Sequence, residues 1–70
     1  MEFKKGQIYQ NEDDNIFIKY VRNGCVGFIE GCSPCAIHDI EEFKAEILEE
    51  YIKKYGYKRA SKEFEAFVNA

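Results

Sequence analysis

Cysteine and histidine are the residues of this chain whose side chains could most readily bind a metal or react. Cys25, Cys32, Cys35 and His38 have the spacing Cys-x6-Cys-x2-Cys-x2-His, which is a complete ligand set for tetrahedral zinc. However, three of these ligands crowd into one short segment. Cys25 lies at the far end of a predicted strand, roughly 20 Å from Cys32 at ~3.3 Å per residue. We therefore predict no metal site and no cofactor.

The Cys32-x-x-Cys35 pair also has a redox interpretation, because its place between a strand and a helix is similar to that in thioredoxin-like oxidoreductases. That fold needs parallel strands with a crossover helix, whereas an antiparallel hairpin is predicted here. The predicted helix begins at Asp39, so Cys32 lies too far from its N-terminus for the helix dipole to act on the thiol. A small zinc- or thiol-dependent regulator that uses Cys32 and Cys35 remains an alternative function.

Carboxylates form the second set of candidate functional residues. A ribbon of them recurs at helical spacing and would line one face of a helix: Asp39, Glu42, Glu46, Glu49 and Glu50. A polar loop would add three more if it lies nearby: Glu12, Asp13 and Asp14. The loop lacks the twelve-residue ligand spacing of a calcium site, so we interpret these residues as a partner-binding surface.

The charge distribution favours a basic partner. The net charge is −3, and residues 1–50 contain 11 acidic and 5 basic side chains, whereas residues 51–70 contain 2 acidic and 5 basic ones. An acidic body disfavours phosphate backbones and favours basic proteins. A local basic patch is still possible in the last third of the chain, from Lys53, Lys54, Lys58, Arg59 and Lys62.

Length and composition limit the remaining possibilities. Seventy residues allow one domain, residues 1–70, with a core so small that 46% hydrophobic residues favour a homodimer. No apolar run has the length of a signal peptide or a membrane span, and an odd number of cysteines fits a reducing compartment, so we expect a cytoplasmic protein with no membrane partner. No catalytic motif occurs, and we expect no enzyme.

These residues must be positioned by a few elements, of which the clearest is a long amphipathic helix over Asp39–Tyr55. Its apolar residues recur with a 3.6-residue period, and Asp39 is placed to cap the first turn. Lys53 and Lys54 suit the C-terminal end, and Gly56 follows as a left-handed stop. A shorter C-terminal helix is predicted from about Lys58 to Val68.

A β-meander is predicted before the helix. Asn23-Gly24 between two β-rich runs is the preferred dipeptide of a two-residue type I′ hairpin. A short strand before the polar loop is predicted as the third strand, at the edge of the sheet. The turn predicts a regular register with the pairs Arg22–Cys25, Val21–Val26, Tyr20–Gly27, Lys19–Phe28, Ile18–Ile29 and Phe17–Glu30. The fold class is therefore α+β, a three-stranded antiparallel meander packed by two helices.

This register predicts two different faces of the sheet. One face would meet the long helix and carries Ile16, Ile18, Tyr20, Cys25 and Ile29. The other carries four apolar side chains with charged margins, a composition typical of an interface: Phe17, Val21, Val26 and Phe28. We predict self-association through this second face, with coverage by a loop or the C-terminal helix as the alternative.

Taken together, these features predict a non-enzymatic intracellular binding or inhibitor protein. In its sharpest form it is an acidic DNA mimic, whose carboxylates block the basic nucleic-acid-binding surface of a host protein such as a histone-like protein. The organisation is similar in style to phage-encoded host-takeover and inhibitor proteins. A second alternative is a helix-turn-helix-like DNA binder, which would use Lys58, Arg59 and Lys62 at the start of the C-terminal helix.

Overall fold

The centre of the fold is a β-hairpin around Asn23-Gly24, as the sequence predicts. In the computed structural model, which describes residues 1–70, Asn23 and Gly24 have φ angles of 52° and 77°. These positive values are those that a type I′ turn requires. The turn joins strand β2 (Asn15–Arg22) to strand β3 (Cys25–Gly31).

Two further strands extend the sheet beyond the predicted meander, and two α-helices pack on it. The other elements are β1 (Ile8–Gln10), a 3-10 turn (Ile37–Asp39), β4 (Glu41–Lys44), α1 (Ala45–Lys54), β5 (Lys58–Arg59) and α2 (Lys62–Val68). All pairs are antiparallel, and the strand order is β4-β3-β2-β1-β5. The fold class α+β is confirmed, but the sheet has five strands, and β5 pairs with β1 so that β1 is not an edge.

A β-bulge at Lys19 changes the predicted register. The three pairs nearest the turn are confirmed, but Ile18 then pairs with Phe28 and Phe17 pairs with Ile29. The regular register would have placed Phe28 opposite the charged Lys19. The bulge instead sets apolar residues opposite one another, which favours cross-strand packing, and it brings Ile16 and Ile18 to the face that carries Phe28.

The sheet has an apolar cluster on each face because side chains alternate along its strands. The larger cluster lies between the sheet and α1 and comprises Phe3, Tyr9, Ile16, Ile18, Val26, Phe28, Leu48, Ile52 and Tyr57. The smaller lies on the opposite face with Ala60 and Val68 packed against it, and comprises Ile8, Phe17 and Ile29. Helices α1 and α2 therefore cover opposite faces.

The predicted helix Asp39–Tyr55 is wrong in its first third. Residues 41–44 pair with the free edge of β3, where Phe43 lies opposite Val26. The exposed amides and carbonyls of that edge gain hydrogen bonds from β4, and this outweighs the local helical pattern. The helix begins at Ala45, after the extended Lys44, and Gly56 with φ 70° follows its end as predicted.

The C-terminal helix is also shorter than predicted. Lys58 and Arg59 form β5, and the helix begins after Ser61, whose hydroxyl accepts a hydrogen bond from the Phe64 amide at 3.1 Å. Because a strand separates α1 from α2 and they pack on opposite faces of the sheet, the two helices do not form a helix-turn-helix unit.

Candidate functional site

A cluster of polar side chains forms around the carboxylate of Glu30, near the end of β3. The Tyr51 hydroxyl donates to both of its oxygens at 2.7 and 2.9 Å, and the Tyr57 hydroxyl donates to Oε2. Glu30 lies on the α1 face because it pairs with Ile16. The two phenols fix the carboxylate in one orientation and hold its charge at a half-buried position.

Aromatic packing connects this cluster to the core. The ring centroids are 5.0 Å apart for Phe28 and Phe43 and 5.8 Å apart for Phe43 and Tyr51, both in edge contact. The Tyr51 ring then packs on Tyr55 at 4.7 Å and on Tyr57 at 6.3 Å. These ring contacts connect the buried Phe28 to the surface, where Tyr55 is half exposed.

The electrostatic environment of the tyrosines is negative. The hydrogen bond to Glu30 is the largest cause that raises the pKa of Tyr51 from 10.0 to about 12, and the charge of Glu41 adds to it. Burial first, and then the bond to Glu30, raise the pKa of Tyr57 further, with a contribution from Asp14. Glu30 thus acts on both phenols, whereas Glu41 acts on that of Tyr51 and Asp14 on that of Tyr57.

The polar loop between β1 and β2 is fixed beside these tyrosines. The Asn11 side-chain oxygen accepts from the amides of Asp13 and Asp14, both at 2.8 Å, and its nitrogen donates to the Tyr55 carbonyl at 2.9 Å. This last bond holds the loop against the end of α1. Glu12 and Asp13 line a small cleft of about 240 Å³ together with Tyr55.

We call this region the acidic tyrosine surface, which comprises Glu12, Asp13, Asp14, Glu30, Glu41, Tyr51, Tyr55 and Tyr57. It presents carboxylates beside aromatic rings, the combination that pairs with and stacks on guanidinium and ammonium groups. The Lys54 amine already lies 5.4 Å from the centroid of the Tyr55 ring. The surface therefore has the chemistry to bind cationic side chains.

The predicted carboxylate ribbon does not lie on one helix face. Asp39 belongs to the 3-10 turn, and Glu42 lies in β4 on the sheet face opposite α1. There Glu42 accepts from the Tyr20 hydroxyl at 2.6 Å and lies 3.8 Å from Arg22. The prediction of a continuous carboxylate ribbon is wrong, because β4 replaces the first part of the predicted helix.

The other three ribbon residues do lie on α1. Glu46 and Glu50 are exposed. Glu49 forms one ion pair with the amino group of Met1 and another with Lys53, both at 3.0 Å. These two bonds lower the pKa of Glu49. The loop carboxylates predicted as contributors, in contrast, lie at the acidic tyrosine surface.

The predicted self-association face is not an exposed face. Val26 and Phe28 are completely buried beneath α1, Phe17 is buried on the opposite side of the sheet, and only Val21 is exposed. The prediction is wrong because the bulge at Lys19 divides these residues between two faces. A homodimer through another surface stays a prediction.

The three cysteines are free. Cys32 and Cys35 are exposed in the segment after β3, and Cys25 is half-buried on that strand. His38 is exposed in the 3-10 turn. No group of three or more His, Cys, Asp or Glu side chains is close enough to hold a metal ion.

Sequence reasoning did not identify Glu30, Tyr51 and Tyr57 as a unit. The regular register pairs Glu30 with Phe17, and the helical periodicity indicates only a packing role for Tyr51. The signal that was available is the concentration of Tyr51, Tyr55 and Tyr57 within seven residues, since tyrosine hydroxyls at a core margin need hydrogen-bond partners.

Comparison of the chain with protein-family models, with curated proteins and with solved structures found no match in any of the three. Neither helix has both the length and the apolar character needed to cross a membrane. A proposal about function therefore depends on the geometry and charge of the surfaces described above.

Proposed function

We propose that this protein is a non-enzymatic binding protein that uses the acidic tyrosine surface to occupy the basic, nucleic-acid-binding surface of another protein. The observation that carries the proposal is that the Tyr51 and Tyr57 hydroxyls fix the carboxylate of Glu30, while Asn11 holds the acidic loop against the end of α1. Strand β3 and the loop thereby supply negative charge to one side of the molecule. The partner we propose is a host protein of the histone-like class, blocked by a phage-type inhibitor.

The geometry favours recognition of arginine and lysine by this surface. The carboxylate of Glu30 is oriented by two hydroxyls, and the loop that carries Glu12 is held by Asn11. Groups that are already fixed lose little conformational entropy on binding. The half-exposed ring of Tyr55 adds a face on which a guanidinium group can stack.

A displacement experiment tests the proposal. Duplex DNA bound to a purified histone-like protein is titrated with the parent or with the variant Glu12→Gln/Glu41→Gln, and release of DNA is followed by fluorescence anisotropy. The variant should displace DNA at least about fivefold less well, since each lost charge contact contributes on the order of 0.5–1 kcal/mol at a surface. Displacement by the parent should weaken steeply as salt is raised.

The matched control is Glu46→Gln/Glu50→Gln, which makes the same charge change on the outward side of α1. This variant should displace DNA nearly as well as the parent. If both double variants lose displacement equally, only net charge matters and the assigned surface is wrong. If the parent displaces no DNA at low salt, the mimicry proposal is overturned.

A further inference from the structure

The side of the protein formed by the N-terminal turn and α2 contains a second charged site, with the opposite sign. An open cleft of about 360 Å³ lies between the turn at residues 4–7 and α2. Its lining includes four cations and one carboxylate, namely Lys4, Lys5, Arg59, Lys62 and Glu65. We call it the basic cleft. Its lining has a net charge of +3, in a chain whose net charge is −3.

The floor of the basic cleft is a fixed ion pair. Glu65 accepts two hydrogen bonds from Arg59, one of them at 2.8 Å, and one from the Ile8 amide at 2.9 Å. The Glu65 side chain is only 12% exposed. The bond from Arg59 is the largest cause that lowers the pKa of Glu65. The hydrogen bonds of Glu65 are thus made with Arg59 and Ile8, and no lysine of the cleft forms an ion pair with it.

The two walls of the cleft are held together. The Asn69 side chain on α2's C-terminal side donates to the Gly6 carbonyl at 2.8 Å. Gly6 has a φ of 94°, and a Cβ atom there would lie 3.3 Å from the Asn69 side-chain nitrogen. The turn therefore fits closely against α2 with glycine at this position. This contact sets the width of the basic cleft.

The cations of the basic cleft have donors without acceptors. Lys4, Lys5 and Lys62 make no ion pair and no side-chain hydrogen bond, and Arg59 uses only Nε and Nη2 for Glu65. Like charges that converge in a concave site repel one another and raise the local concentration of anions. An anion of high charge density would relieve this repulsion.

We propose that the basic cleft binds the phosphate groups of a small polyphosphate ligand. Three ammonium groups and a free guanidinium nitrogen match linked phosphates better than a single carboxylate, which would leave most of the positive charge uncompensated. The volume is that of a small-molecule site. Ala66 is the one apolar residue of the lining, so recognition depends on the phosphate chain and not on a base or sugar.

The test is isothermal titration with inorganic tripolyphosphate in magnesium-free buffer, compared with sulfate at equal ionic strength. One tripolyphosphate per chain should bind, and ATP should bind within about threefold of it, because the cleft has no surface for the nucleoside. The variant Lys4→Gln/Lys62→Gln should bind at least about tenfold more weakly, since it removes two charge-assisted contacts. Both lysines are exposed, so its thermal melting should match that of the parent.

The matched control is Lys44→Gln/Lys54→Gln, which makes the same charge change away from the cleft and should lose less than about twofold. Equal losses in the two variants, or binding no tighter than that of sulfate, would overturn the proposal. So would a single-stranded oligonucleotide that binds more than about tenfold tighter than tripolyphosphate, because the ligand would then be a nucleic acid. The variant Glu12→Gln/Glu41→Gln should bind tripolyphosphate unchanged, which separates this test from that of the proposed function.

Discussion

The acidic tyrosine surface and the basic cleft differ in charge, and they also differ in what holds them. The first is supported by α1, which buries Leu48 and Ile52 against the sheet. The second is bounded by α2, none of whose residues is buried. Its position depends on the hydrogen bonds of Glu65 and Asn69 and on the apolar contact of the partly buried Val68.

This difference implies different dynamics at the two sites. Hydrophobic packing at α1 opens only when much of the domain unfolds, whereas a helix held mainly by polar contacts opens locally at lower free energy. The acidic tyrosine surface should therefore keep its geometry at acidic and neutral pH and over a wide range of salt. The basic cleft should be the part of the molecule that responds to salt and to acidic pH.

The largest expected effect is that of Leu48→Ala. Leu48 is completely buried between α1 and the sheet. The substitution removes its packing and leaves a cavity, which should lower the free energy of unfolding by about 2–5 kcal/mol. This is a large fraction of the stability of a domain of this size. Urea unfolding followed by circular dichroism measures it.

The control is Ile47→Ala, which makes the same kind of truncation at the neighbouring residue of the helix. Ile47 is 50% exposed, so its truncation should cost less than about 1 kcal/mol. A Leu48→Ala variant as stable as Ile47→Ala would contradict the packing of α1 that supports the acidic tyrosine surface.

The next effect concerns the basic cleft and is expected from Glu65→Gln. The change removes the charge of the acceptor for both Arg59 and the Ile8 amide and replaces one of its two oxygens by an NH2 donor, which should cost about 1–3 kcal/mol. Hydrogen exchange should quicken at the amides of α2 before those of α1. Glu63→Gln, the same change at an exposed position of α2, should have almost no effect.

The pH dependence of the parent gives a second measure of this bond. The pKa of Glu65 is lowered in the folded protein, so its contribution to stability is present above the unfolded pKa of about 4.5 and is lost as the pH falls. The Glu65→Gln variant should lose less stability than the parent over that acidic range. Equal losses would mean that Arg59 and Glu65 do not stabilise the wall of the cleft.

Local signals predicted some elements of this fold correctly. Asn23 and Gly24 specify their turn through the positive φ angles that they tolerate. The polar loop after β1 likewise forms its hairpin. In each case the residues that determine the conformation lie within a few positions of one another, where sequence patterns are most informative.

The remaining elements depend on contacts between distant parts of the chain. Residues 41–44 become β4 because the edge of β3 lies beside them, and Lys58 and Arg59 become β5 because β1 does. The bulge at Lys19 decides which face each residue of the hairpin occupies. Both charged sites combine segments brought together by these pairings, so the sequence could indicate their charge and some of their members, such as Glu12 and Lys62, but not the full sets.

The smallest effect concerns the tyrosines of the acidic tyrosine surface, in the variant Glu30→Gln. The bond to Glu30 is the largest cause of the raised pKa of Tyr51, whereas burial is the largest cause for Tyr57. The substitution should therefore lower the pKa of Tyr51 from about 12 more than it lowers that of Tyr57. NMR titration of the two ring carbons that bear the hydroxyls distinguishes them. Glu41→Gln, the last of the causes acting on Tyr51, serves as the control and should shift it only slightly.

The same bonds determine how stability changes at alkaline pH. Because the pKa of Tyr51 is raised above its unfolded value of 10.0, its contribution to stability is fully present below about pH 10 and is lost as the pH rises toward about 12. Tyr57 adds to this loss in the same direction. The parent should therefore lose stability in urea steeply above pH 10, and Glu30→Gln should lose less over the same interval while starting from a lower value. If the two proteins lose stability in parallel, the phenols do not hold Glu30 as the structure places them. The idea that Glu30 is a fixed carboxylate at the centre of the acidic tyrosine surface would then be wrong.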